Sequence, residues 1–246
     1  MTMKHLLHIL LGAAALSGLV SSMEIDNIEA PSAKVEGRII DKTTGQPMLL
    51  DQGVSHIRIW EMSYSEHPNP QDLAIKEDGT YYNDKLFSGT YDMLPRDGAW
   101  WPCDTTYNVA IGKKGTVQDF EVIPYLHIVD FDATLSGTEL TLTCRLQAPV
   151  TDGLPQIREI RPFINNNTHC GPGNHIDYYY NDANRINLRK MWTAIGDADG
   201  NQTVAPYSLK VQLKAGYTYW VRMGAQVNDT YTSWNLSEVK KIVVPE

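Results

Sequence analysis

Cysteine is scarce. Cys103, Cys144 and Cys170 are the only three in 246 residues, and they share no spacing, so neither a disulfide framework nor a close-paired zinc ligand set is expected. Positive charge is also short. Lys and Arg number 21 against 29 Asp and Glu, a formal net charge of -8, which argues against binding nucleic-acid backbones, since that requires clustered Lys and Arg. Helical periodicity is rare, and after the N-terminal segment no apolar run is long enough to span a bilayer. Catalytic signatures are missing as well. There is no Gly-x-Ser-x-Gly elbow and no His-Glu-x-x-His pair, and the scattered carboxylates show no sign of the flanking pair that glycoside hydrolysis needs. No catalytic residue, no metal site and no cofactor is therefore expected.

What is present reads as an exported all-β protein. Lys4 and His5 precede an apolar run from Leu6 to Val20, and small residues follow at Ser21 and Ser22; residues 1–22 fit a signal peptide. The composition is 42% apolar and 20% charged, ordinary for a soluble folded chain, and the length suits two domains with separate cores. From Ala33 onward, short alternating runs are separated by turn residues. Lys34 to Ile40, Ser55 to Met62 with Ile57 and Ile59 on one face, Leu73 and Ile75 before an Asp78-Gly79 hairpin, Gly89 to Met93, Thr106 to Ile111 and Val117 to Ile123 make one set. Pro124 marks a change. Tyr125 to Asp132, Glu139 to Leu146, Ile157 to Ile164, Tyr207 to Leu213, Tyr217 to Val227 and Glu238 to Val244 make a second set. Pro162 argues that its strand lies at an edge or a bulge. Cys144 alternates with Leu140 and Leu142 as a small core residue, and Cys170 sits in a loop, open to one bridge.

Two tandem antiparallel β-sandwich domains are thus expected, over residues 31–124 and 125–246. The first resembles the prealbumin-like, or carboxypeptidase regulatory-like, sandwich through Gly37-Arg38-Ile39-Ile40, Thr44-Gly45-Gln46-Pro47, Asp78-Gly79-Thr80-Tyr81 and Gly89-Thr90-Tyr91. The second resembles fibronectin type III through the stretch from Leu213 to Arg222, which is similar to the corner where a Tyr hydroxyl returns to the backbone. Taken in order, with Val35 to Pro102 nearly complete, these pieces resemble a family of two-domain lipoproteins of unknown function from gut Bacteroidetes, encoded beside SusC- and SusD-type glycan importers. That resemblance implies a part in capturing or importing polysaccharide at the outer membrane, on the surface or the periplasmic side, with such an importer as a partner. It supplies no catalytic or binding residues. It also implies a lipid-carrying Cys where this chain has Met23 after Ser21-Ser22, so export is better supported than lipid anchoring.

Aromatic clusters carry the candidate site. Sugar rings stack their C–H faces on Trp and Tyr while their hydroxyls bond to polar side chains. Tyr178, Tyr179 and Tyr180 run into Asn181 within the long polar loop after Asn165, and Trp234 lies in the last inter-strand loop. Trp100 and Trp101 before Pro102 form a second cluster, with a competing reading as a domain seal. These seven residues are the expected contacts for a polysaccharide or oligosaccharide, and no nucleic acid is expected. A metal set from His169, Cys170, His175 and Asp177, or a calcium loop at Asp197-Ala198-Asp199-Gly200-Asn201, fits no recognised spacing. The Asn-x-Ser/Thr triplets at Asn166, Asn201, Asn228 and Asn235 are incidental in a bacterial chain. A structural spacer or assembly partner of an importer is the alternative function, and a glycan hydrolase the least favoured.

Overall fold

A computed structural model describes residues 29–197, 203 and 205–246. The expected signal segment with Met23, and residues 198–201 of the candidate calcium loop, lie outside the described residues. The chain is all-β, and residues from Ser32 to Glu246 form one compact unit.

Its first sandwich contains β1 (Ala33–Asp41), β2 (His56–Glu61), β3 (Gln71–Ala74), β4 (Thr80–Leu86), β5 (Gly89–Arg96), β6 (Thr106–Ile111), β7 (Thr116–Val117) and β8 (Phe120–Val122). One sheet runs β4-β1-β7 with β8 also on β1, and the other runs β3-β2-β5-β6. Strict alternation in β1 turns Ala33, Val35 and Ile39 inward, where they meet Ile57 and Ile59 of β2 and Tyr91 and Met93 of β5. Two details depart from the sequence expectation. The Asp78-Gly79 turn closes as a hairpin at Ile75 and Tyr81, but β3 and β4 then diverge into different sheets. β7 and β8 pair with β1 in parallel, in an otherwise antiparallel fold.

The Gly-Arg and Asp-Gly-x-Tyr elements have a shared cause. Gly37 faces Tyr81 across the β1–β4 ladder, and a Cβ at position 37 would stand 1.9 Å from the Gln118 carbonyl oxygen and 2.9 Å from the Tyr81 ring. The gap lets the buried Tyr81 hydroxyl donate to Gln118 O at 2.5 Å. At the other end of β1, Asp41 accepts hydrogen bonds from the backbone and hydroxyl of Thr43 and the hydroxyl of Thr44. Those bonds fix the turn that Gly45 completes at φ +71°.

The second sandwich contains β9 (His127–Ser136), β10 (Glu139–Gln147), β11 (Ile157–Asn165), β12 (Ile186–Lys190), β13 (Tyr207–Gln212), β14 (Thr218–Val227), β15 (Trp234–Leu236) and β16 (Lys240–Val243). β13-β10-β9 form one sheet and β12-β11-β14 the other, with β15 and β16 both on β14. The sandwich thus sets three strands against five. Leu140, Leu142, Cys144 and Leu146 of β10 pack on Ile157, Val221, Met223 and Ala225 between the sheets. Cys144 is a core residue, and all three thiols are free. Pro162 lies in a strand with partners on both sides, contrary to the edge expectation. The β12 ladder stops at Ile160, however, so beside the proline that flank is open.

β11 and β14 are buried on both faces. The outer face is covered by the first sandwich and by the loop after Asn165, which buries polar side chains that alternation alone assigns to solvent. Arg222 is the deepest. Its guanidinium donates to Leu50 O at 3.1 Å, Cys170 O at 3.3 Å, and Ser237 O at 2.9 and 2.6 Å, and burial pulls its pKa down to about 10. Asn235 donates to Ala99 O at 2.8 Å and accepts from Leu126 N–H at 3.1 Å. His127 meets Asp41 at 2.7 Å. Asp51 accepts from Gly173 N–H at 2.5 Å, and a Cβ at Gly171 would come within 2.5 Å of the same carboxylate, which accounts for Gly171-Pro172-Gly173. The two sandwiches are therefore joined by buried polar contacts rather than by a loose linker.

Candidate functional site

The loop after β11 folds by successive turns. Tyr179 N–H donates to Ile176 O and Tyr180 N–H to Asp177 O, so three consecutive tyrosines leave the backbone in different directions. Tyr179 turns inward and is 4% exposed, while Tyr178 is 71% exposed. The turn between β13 and β14 approaches from the other side and brings Lys214, Tyr217 and Tyr219. Together with Asn166 and Ile176 these residues line a pocket of about 190 Å³.

Four rings form its frame. Tyr178 meets Tyr179 edge to face at 5.1 Å, Tyr179 meets Tyr219 at 5.8 Å, and Tyr219 meets Tyr217 at 6.3 Å. The inner pair is joined by a hydrogen bond from the Tyr179 hydroxyl to the Tyr219 hydroxyl at 3.2 Å, and the Lys214 backbone N–H donates to Tyr179. In the stretch expected to form a tyrosine corner, Tyr219 thus reaches the backbone through Tyr179. Burial first, and the Tyr219 hydroxyl second, push the Tyr179 phenol above its ordinary pKa, so it stays protonated and fixed as a donor. The outer pair, Tyr178 and the 58% exposed Tyr217, presents ring surface to solvent, with Lys214 and Asn166 also lining the pocket.

The remaining predicted contacts go elsewhere. Tyr180 lies against His175 at 4.2 Å between ring centroids, with the Arg161 guanidinium 3.9 Å from its ring. Trp234 packs edge-on against Phe163 at 5.2 Å, in space kept open by Gly224, where a Cβ would meet both rings. Both cover the outer face of the β11–β14 sheet and do not join Tyr178. Asn181 accepts from Ala183 and Asn184 N–H and donates to Tyr178 O, so its amide is committed to the turn. Trp100 is 5% exposed in the first core, and Trp101 packs on Tyr125 at 5.2 Å; the domain-seal reading holds for the pair. His169 pairs with Glu77 of the first sandwich, Cys170 donates to Phe163 O and His175 stacks on Tyr180, so these three side chains do not converge. Sequence reading missed Lys214, Tyr217, Tyr219 and Asn166. The alternation of Tyr217 and Tyr219 after the Gly216 turn was the available signal.

No curated protein matches the chain. Among solved structures, one described as "a putative carbohydrate binding protein" from Bacteroides uniformis superposes with a TM-score of 0.72 at 21% identity, covering 87% of this chain and 99% of its own. A DUF3823 family protein from Bacteroides uniformis gives 0.71 at 21% identity over 87% and 100%, and one from Parabacteroides merdae gives 0.62 at 19% identity over 87% and 100%. At these identities the likeness is one of fold. A family model described as the N-terminal domain of a protein of unknown function, DUF3823, matches residues 33–123, and a second for its C-terminal domain, DUF3823_C, matches residues 126–241. The chain belongs to the DUF3823 family.

Proposed function

We propose that this protein is a non-catalytic, exported accessory protein of polysaccharide capture that binds carbohydrate at the tyrosine pocket. The observation that carries this reading is the pair of solvent-facing rings, Tyr178 and Tyr217, set over a hydrogen-bonded tyrosine floor, with the polar residues Lys214 and Asn166 also lining the pocket. A pyranose offers apolar C–H faces and a belt of hydroxyls, and the pocket offers rings for the first and polar groups for the second. The Bacteroides uniformis relative described as a putative carbohydrate binding protein supports the same ligand class. The cell envelope, beside a SusC/SusD-type importer, is the proposed setting.

Affinity electrophoresis of the soluble protein through gels containing a panel of polysaccharides tests the pocket. Retardation is expected on at least one glycan, with each of Tyr178→Ala and Tyr217→Ala weakening it by about tenfold, on the order of 1.4 kcal/mol. Tyr179→Ala is unsuitable, because it empties the core below the pocket. Migration unchanged by every glycan defeats the reading. The second reading, a spacer or assembly partner, is favoured by the buried polar joint between the sandwiches. It expects co-purification with outer-membrane partners that is indifferent to Tyr178 and Tyr217.

A further inference from the structure

A second groove, away from the tyrosine pocket, lies where the segment after β5 meets the β14–β15 loop. It has a volume of about 430 Å³, and Arg96, Asp97, Trp100, Tyr125, Asp229 and Tyr231 are among the residues that line it. That volume is within the range of small-molecule sites, which favour domain junctions, and holds about two pyranose rings.

The backbone around it is unusual on both sides. Asp97 has φ +65° and Thr232 φ +51°, left-handed conformations that are costly for a non-glycine residue and more so for a β-branched one. The two are tied together, because the hydroxyl of Ser233, next to Thr232, donates to Asp97 O at 2.6 Å. Positive φ at Thr232 turns its N–H onto Asp229 Oδ1 at 2.7 Å. The other carboxylate oxygen, Asp229 Oδ2, is buried with no partner among the described residues. Buried acceptors are rarely left alone in native proteins, and a bound donor is one of the few explanations. Opposite it, the Arg96 Nε donates to the Asp97 carboxylate, while its terminal nitrogens have no hydrogen-bond partner among the described residues. The guanidinium carbon is 5.7 Å from the centre of the Tyr231 ring, which is 47% exposed, and the buried rings of Trp100 and Tyr125 back the groove.

We propose that this junction groove is a second carbohydrate subsite, taking a neutral mono- or disaccharide unit. A hydroxyl donates to Asp229 Oδ2 and another accepts from the Arg96 terminal nitrogens, while a sugar face lies on Tyr231. A sugar fits better than an anion, because Arg96 is already paired with Asp97 and a bound anion would face two carboxylates. It fits better than a purely apolar ligand, which would leave the Asp229 oxygen unpaired. The inference rests on the carbohydrate reading for its ligand class but on different residues.

Isothermal titration of the full soluble chain with maltohexaose, cellohexaose, xylohexaose and mannohexaose tests it. Tyr231→Ala, Asp229→Asn and the Tyr178→Ala/Tyr217→Ala double variant are run alongside, with thermal melts to establish folding. Two sites are expected on the unmodified protein for at least one sugar. Tyr231→Ala and Asp229→Asn each weaken one of them tenfold or more and spare the other, and the double tyrosine variant does the reverse. Binding that responds to the double variant while both groove variants titrate like the unmodified protein overturns the groove and leaves the tyrosine pocket standing. Binding lost only through Tyr231 and Asp229 supports the groove and removes the pocket. No heat with any of the four sugars overturns both.

Discussion

Single residues explain the motifs by which the first sandwich is recognisable. Gly37 is there because the Gln118 carbonyl and the Tyr81 ring occupy the place of a side chain. Gly37→Ala is accordingly expected to cost about 3 kcal/mol through backbone displacement, measured by urea unfolding against the unmodified protein; a loss under about 0.5 kcal/mol, the range of an inert surface change, contradicts the packing account. Trp100 and Trp101 were legible as aromatics but their seats were not, since a Trp beside a proline gives the same sequence signal whether it seals a joint or stacks a ligand. The tyrosine run failed as a unit for a related reason. Alternation rules govern strands, and three tyrosines placed in consecutive turns obey none of them.

Among the elements, strand positions were largely readable and strand partners less so. β1, β2, β10 and β14 lie close to where alternation places them. The move of β4 away from β3, and the parallel return of β7 and β8 to β1, depend on the whole sandwich closing and leave no local trace. β11 and β14 show the sharper limit. Their sequences carry Glu159, Arg161, Arg222 and Gln226 as though one face met water, yet all four are buried. Arg222 holds that face together by donating to three carbonyls, one of them Leu50 of the other sandwich. Arg222→Met leaves those acceptors buried without donors and is expected to cost about 4 kcal/mol. It is also expected to separate a single unfolding transition into two, seen as tryptophan fluorescence and far-UV circular dichroism ceasing to coincide. Coincident transitions in the variant contradict this role.

At the scale of the whole molecule, the sequence showed two domains but not that a buried polar surface joins their separate cores, because an inter-domain surface has the same composition as a core or a polar face. Acid should act on this joint through Asp41. Burial raises its pKa, but the hydrogen bonds from Thr43 and Thr44 and the nearby His127 outweigh that and hold the carboxyl below its ordinary value. A lowered carboxylate pKa means stabilisation that is complete above the unfolded value, about 4, and is lost as pH falls through the folded one. Asp51 and Asp229, whose pKa values burial raises, act in the opposite sense and flatten the total acid profile. The comparison with Asp41→Asn isolates the first effect. The variant is expected to be less stable than the unmodified protein at pH 7, with the gap narrowing as pH falls below about 4. A gap independent of pH in urea titrations would show that Asp41 acts by shape alone.

Burying the joint has a mechanical consequence. A chain of beads on flexible string lets each bead search for its own target, whereas here a tilt of the first sandwich turns the second by the same angle. Whatever holds one end of the molecule aims the other, and a sugar held at the tyrosine pocket would be presented in a fixed direction rather than swept through a cone.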